Sequence, residues 1–185
     1  MSENKTETRL KIMGRVAFPN LFEPYSGDNG AGNFGCKLVS ISDEDVAKIK
    51  KVAAVVMKDK WNGKITSVKQ LAQFLLHDGE DKAQYAGFEE GKMYLSLNSK
   101  TRPPVVDRKG LPITKESGII YSGCWVMCYI DVWAQDNKNG KGINGSLVGV
   151  QFVKDDTPFA GGKPMSLDDF EALDDETGDD MDDLL

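Results

Sequence analysis

The segment CWVMCYIDVW, residues 124–133, limits the architectures open to this chain more than any other stretch. Apolar almost throughout, it separates at the two-residue period of a strand into two faces. Cys124, Val126, Cys128, Ile130 and Val132 point one way, small and aliphatic, as the interior of a tight sheet requires. Trp125, Met127, Tyr129, Asp131 and Trp133 point the other way, flat rings beside a polar residue. The second face is either another core or a surface that holds flat ligands.

Flanking segments extend the β pattern. RLKIMGRVAF (9–18) alternates, with Leu10, Ile12 and Val16 on one face and Arg9, Lys11, Met13 and Arg15 on a basic outer face. A Pro- and Gly-rich loop leads to a second strand, FGCKLVSI (34–41), which carries Lys37. Ser42, three residues before Asp45, predicts a helix N-terminus ahead of Val46, Ile49, Val52, Ala53, Val56 and Met57 at helical spacing. SVKQLAQFLLHDG (67–79) predicts a shorter helix ended by Gly79. KMYLSL (92–97) reads as a strand entering a Pro-broken basic loop. DNKNGKGINGS (136–146) reads as a hairpin loop, LVGVQFV as the returning strand, and KDDTPFAGGKP as a segment leading away from the domain. About five strands and two helices that do not alternate exclude a doubly wound sheet. They predict a mainly β, α+β fold: a small barrel-like domain over residues 1–160 and a flexible acidic tail over 161–185.

Charge follows the same division. Ten of the 29 acidic residues and none of the 23 Lys and Arg lie after Met165, so a body of about +4 carries a tail of −10. The tail's apolar residues are too scattered to form a core, which predicts disorder. Three cysteines, an odd count, predict small buried residues in place of a disulfide framework. No signal-like N-terminus and no apolar run near the roughly 18 residues of a membrane span are present, so the expectation is a cytoplasmic protein without membrane association.

Catalytic patterns are weak. GAGNFG (30–35) precedes a strand where a nucleotide-binding loop would join strand to helix, and reads as a flexible loop. His77, the single histidine, stands at the end of the predicted second helix, where a C-terminal cap is its expected role. No zinc-ligand spacing or nucleophile elbow is present, so neither an enzyme nor a cofactor is expected.

What remains is aromatic residues interleaved with cations. Tyr94 falls on the polar face of its strand beside Ser96 and Asn98, and Lys100, Arg102, Arg108 and Lys109 follow in the adjoining loop. Trp125, Tyr129 and Trp133 share one face, Lys138 and Lys141 lie in the hairpin that strand enters, and Arg15 and Lys37 add charge on neighbouring strands. Single-stranded nucleic acid needs rings for its bases and cations for its phosphates. The alternative for any one ring is packing beneath a helix.

The chain resembles the single-stranded DNA-binding proteins of tailed bacteriophages, which have an OB-fold core and an acidic C-terminal tail. The likeness is carried by LNSKTRPPVVD (97–107), by YSGCWVMCYIDVWAQDNKNGKGINGSLVGVQFVKD (121–155) and by the acidic terminus. It implies an OB-like five-stranded barrel and sequence-independent binding of single strands in phage replication or recombination, with no cofactor and no catalysis, in the host cytoplasm. A standard OB barrel has its helix between the third and fourth strands, whereas here the predicted helices follow the second, so either a further strand lies near 18–30 or the topology is modified. Within this reading the tail, with Phe170, Asp179, Asp180, Asp182, Asp183, Leu184 and Leu185, docks replication or recombination proteins and competes with DNA; a homo-oligomer is left open. The competing reading is an acidic DNA mimic that inhibits a nuclease or recruits host factors through that tail.

Overall fold

The computed structural model describes residues 8–28, 32–159 and 170–173. Among them are eight strands: β1 Arg9–Asn20, β2 Phe34–Val39, β3 Gln73–Phe74, β4 Leu76–Asp78, β5 Met93–Ser99, β6 Val105–Val106, β7 Trp125–Asn137 and β8 Gly140–Lys154. One α-helix, α1 (Asp43–Trp61), stands between β2 and β3.

Five strands close a barrel in the order β1, β2, β5, β8, β7. The β5–β8 pair is parallel and the other neighbours are antiparallel. This is the strand order of an OB barrel, with β5, β7 and β8 as its third, fourth and fifth strands. The helix lies between the second and third barrel strands, so of the two alternatives the topology is the modified one. Short β3, β4 and β6 extend the sheet at its edges.

Alternation explains the closure. Cys124, Val126, Cys128, Ile130 and Val132 are at most 2% exposed and meet Ile12, Val16, Leu38, Leu95, Leu97 and Ile143 inside the barrel. Small and β-branched side chains suit so narrow an interior. The β7–β8 register slips twice, once between Trp125 and Val126 and once between Tyr129 and Ile130, with an extra β8 residue each time. Such bulges bend the long hairpin so that its other edge can reach β5. All three cysteines are buried, and a hydrogen bond with Cys36, followed by burial, pushes the Cys128 thiol well up. At α1, Ser42 caps the first turn by accepting the Asp45 N–H at 3.1 Å. Ile49, Ala53 and Trp61 of the helix are buried.

Four sequence expectations are corrected. Residues 67–79 form no second α-helix; a 3₁₀ turn at Val68–Gln70 gives way to β3 and β4, because pairing with β8 and β5 outweighs local propensity. His77 therefore caps nothing and lies on β4 opposite Tyr94. Most of 136–146 is strand, with the turn confined to Lys138 and Asn139 between paired Asn137 and Gly140. Residues 155–159 fold back onto the body: Phe159 donates its N–H to the Ser122 carbonyl at 3.0 Å and packs against Ala17, Val39, Phe88 and Tyr94.

Candidate nucleic-acid interface

The outer face of β2 and β5 forms the floor of a trough. Its centre is polar: Lys37 and Ser96 are cross-strand partners, and the Lys37 ammonium donates to Ser96 Oγ. Burial, then Lys82, holds the Lys37 ammonium below its ordinary range. Beside them the His77 ring stacks on Tyr94 with centroids 5.2 Å apart. Burial, then Lys37, pulls the His77 imidazole down as well, with Asp81 acting the other way.

Two hollows meet along this floor at Asn33 and Asn98. One, of about 370 Å³, is bordered by Phe18, Tyr25, Phe34 and Tyr85 with Lys37 and Lys82. The other, of about 890 Å³, runs past His77, Ser96 and Lys100 to Trp133, Gln135 and Asn144. Trp133 is 43% exposed, and its indole N–H donates to Ser146 Oγ at 2.9 Å, which fixes the ring beside the β5–β8 junction. The trough thus has rings at both ends, cations along it and hydroxyl and amide groups on its floor. Bases can stack on the rings while phosphates follow the cations.

The predicted residues divide. Lys37, Lys100 and Trp133 line the trough. Arg102 stands outside it in the loop leaving β5, its guanidinium 5.5 Å from the Phe22 ring. Lys138 is at the tip of the β7–β8 hairpin, and Lys141 nearby lies 5.8 Å from the Trp61 ring. Arg108 is elsewhere, donating to the Val153 carbonyl at 2.7 Å on the β6 side of β8.

Arg15, Trp125 and Tyr129 share the outer face of the β1–β7 pair. In the ring of five strands that pair stands opposite β5, so these residues face away from the trough. Their cations are partly spent: Arg15 ion-pairs with Asp156 at 3.6 Å, and Arg9 of the same face with Asp131 at 2.8 Å. Tyr94 is a correction. It does point outward with Ser96, but it is 5% exposed, covered by His77 and by the Phe88 ring at 5.0 Å. No base can reach it without displacing them. Phe170 is exposed, and Asp179, Asp180, Asp182, Asp183, Leu184 and Leu185 lie outside the described residues.

Sequence reasoning missed Phe18, Tyr25, Phe34, Lys82, Tyr85 and His77 as trough residues. A cation and a ring three residues apart, Lys82 and Tyr85, were the available signal in a segment that reads only as a polar link. Among the described residues no group of three or more His, Cys, Asp or Glu side chains could hold a metal ion, and no helix is long and apolar enough to cross a membrane.

Comparison with known proteins places this geometry in context. Residues 9–184 match the family described as Enterobacter phage Enc34, ssDNA-binding protein. A putative protein of Acyrthosiphon pisum secondary endosymbiont phage 1 is 38% identical over 169 residues, 86% of this chain and 90% of that protein. The single-stranded DNA-binding protein from bacteriophage Enc34, solved in complex with ssDNA, superposes with a TM-score of 0.68 at 28% identity, over 84% of this chain and 91% of that one. The single-stranded DNA-binding protein gp2.5 of bacteriophage T7 gives 0.53 at 17% identity, over 90% and 99%, a likeness of fold alone.

Proposed function

The chain belongs to the family of the Enterobacter phage Enc34 single-stranded DNA-binding protein, and from that premise we propose that it binds single-stranded DNA through the trough over β2 and β5. The observation that carries the reading is the placement of rings at both ends of a cation-lined, hydroxyl-floored trough on the second and third strands of an OB barrel, the face that OB folds use for oligonucleotides. The strand lies with its bases against the rings and its phosphates toward Lys37, Lys82 and Lys100, while Arg102, Lys138 and Lys141 extend the positive path at its margins. Stacking uses the π-face common to all bases, so binding has little sequence preference.

The role that follows is to cover and organise single strands during phage replication or recombination, in the cytoplasm of the infected cell and without catalysis. Residues 1–160 act as the binding domain. Residues 161–185 act as a tail that competes with DNA and docks replication or recombination proteins, with Leu184 and Leu185 as an apolar anchor behind a run of aspartates. The homologue's complex with ssDNA supports the binding step, and the −10 charge of the tail supports the docking and competition steps.

A titration of labelled oligodeoxythymidylate across a salt series tests the reading. Log affinity should fall linearly with log salt, at a slope near −0.7 per phosphate neutralised. An affinity indifferent to salt, or no binding by protein truncated before Ser166 in low salt, overturns it.

A further inference from the structure

The strained residue of the trough is Phe18. By the alternation of β1, in which Ile12 and Val16 face the barrel interior, position 18 also faces inward. Its φ of 49° instead places it in the left-handed region, which bulky side chains avoid. The β1–β2 register slips at the same place, between Ala17 and Asn20. A bulge of this kind re-aims a side chain. The ring emerges 43% exposed, stacked on Phe88 at 5.9 Å and edge-on to Tyr85 at 5.1 Å. The other two non-glycine residues with positive φ among those described have local explanations: Asn62 ends α1, and Ser40 is a small polar residue in the β2–α1 connection. Phe18 ends no helix, and strain held by the surrounding structure points to function.

What the distortion builds is the smaller hollow. Phe18, Tyr25, Phe34 and Tyr85 wall about 370 Å³, near the lower end of the range for ligand pockets and room enough for a base. Its floor is bare backbone at Gly35, where an added Cβ would lie 2.3 Å from the Leu97 carbonyl oxygen. Lys82 Nζ stands 5.9 Å and 5.8 Å from the Phe18 and Tyr85 ring centroids, and Lys37 stands on the rim. A hollow walled by rings, with the amides of Asn20, Asn33 and Asn98 and the cations Lys37 and Lys82 around it, is complementary to a nucleobase and the phosphate attached to it.

We infer that this slot receives one unstacked base of the bound strand, held against Phe18 and Tyr85 with Lys82 on the adjoining phosphate, and so sets the register of the strand along the trough. The inference rests on the single-strand-binding reading above and adds a fixed station to it.

Phe18→Gly in the full-length protein is the decisive variant, because glycine relieves the left-handed strain while removing the ring. Affinity for a short oligodeoxythymidylate should fall roughly 5- to 100-fold, the loss expected for one stacked base, while the melting temperature stays close to that of the unaltered protein. Photo-crosslinking of an iodouracil-substituted oligonucleotide to the unaltered protein, mapped by peptide mass spectrometry, should label Phe18, Tyr25, Phe34 or Tyr85. Unchanged affinity in Phe18→Gly overturns the station and leaves trough binding standing. Crosslinks confined to other residues do the same, and they decide the matter if Phe18→Gly fails to fold. If the unaltered protein shows no salt-sensitive affinity for single strands, the binding reading falls first and the station with it.

Discussion

Trp133 and Trp125 stand on the same face of β7 with different surroundings. Trp133 is anchored only through its N–H to Ser146 Oγ and shows its ring to the trough. Trp125 donates to Asp156 Oδ2 at 2.8 Å, and Lys154 lies 5.1 Å from its ring, so it holds the chain after β8 against the barrel. Trp133→Ala should therefore cost roughly 5- to 100-fold in affinity for single strands with little change in melting temperature. Trp125→Ala should leave affinity intact and lower the melting temperature by about 3–6 °C, the shift expected for one or two kcal/mol in a chain of this size. Fluorescence anisotropy and thermal denaturation of both variants check the pair, and the opposite pattern would put the DNA on the β1–β7 face. His77 adds a proton. Burial, then Lys37, keeps its folded-state pKa below the unfolded value, so the unfolded chain binds more protons as pH falls below about 6.5, and the stability of the free protein declines there. Phosphates placed beside Lys37 and Lys82 as proposed would oppose that effect and favour the imidazolium in the complex. Lowering the pH from about 7.5 to 5.5 should destabilise the free protein yet tighten DNA binding, and His77→Gln should abolish both trends. Equal pH dependence in the variant would show that other groups carry it.

The strap at 155–159 is held to the barrel by a few side chains, Arg15 foremost. Arg15 Nε donates to the Gly123 carbonyl at 2.8 Å, the same guanidinium donates to the Thr157 carbonyl, and its carbon lies 4.3 Å from the Phe159 ring centroid. Tyr121 closes the other side: its hydroxyl lies 2.9 Å from Asp155 Oδ1 and accepts the Asp156 N–H at 3.1 Å, and burial is the main cause of a phenol pKa pushed up to about 12. Arg15→Ala should cost roughly 2–3 kcal/mol, since its side chain is only 18% exposed and its hydrogen bonds are charge-assisted. It should also open the chain to trypsin after Lys154, and a digestion rate equal to that of the unaltered protein would rule the clamp out. None of this was legible in KDDTPFAGGKP, where Pro, Gly and Asp suggest departure and the partners lie from 31 residues away at Trp125 to 142 at Arg15. The β7 strand was legible because its interior face is complete within ten residues. Residues 71–78 were not: Leu71 and Leu75 satisfy a helical spacing as well as an alternating one, and only distant β8 and β5 choose between them. The glycines after the hairpin turn belong to the same contact, since a Cβ at Gly142 would lie 3.0 Å from Gln73 Cβ. They serve close approach within a strand, although their composition suggests a loop. Trough residues contributed by the 79–92 segment escaped for a similar reason, because Lys82 and Tyr85 gain meaning only when Phe88, packed against Tyr94, fixes that segment over β5.

At the scale of the whole molecule, charge and tether length set the behaviour. The body carries about +4 and the residues after Met165 carry −10. The last described residue before the tail, Phe159, packs with Phe88 and Tyr94, the rings that lie against Phe18 and His77 at the trough. If the residues beyond Phe159 act as a tether, a polyanion joined to the body there would meet the trough at an effective concentration on the order of millimolar. On the proposed reading the tail's acidic residues compete for Lys37, Lys82 and Lys100, while its scattered apolar side chains (Leu167, Phe170, Leu173, Met181, Leu184, Leu185) supply only one ring to set against stacked bases, so the expected competition is electrostatic. Removing residues 166–185 should tighten binding of single strands most at low ionic strength, and the truncated and full-length proteins should converge as the Debye length falls from about 30 Å at 0.01 M toward 3 Å at 1 M salt. The salt dependence of the truncated protein should be the steeper, because in the full chain added salt weakens the competitor along with the DNA. Affinity measured for both proteins over that salt range decides the point: coincident curves at every salt concentration would leave the tail to act on partner proteins only, with no hold on the trough.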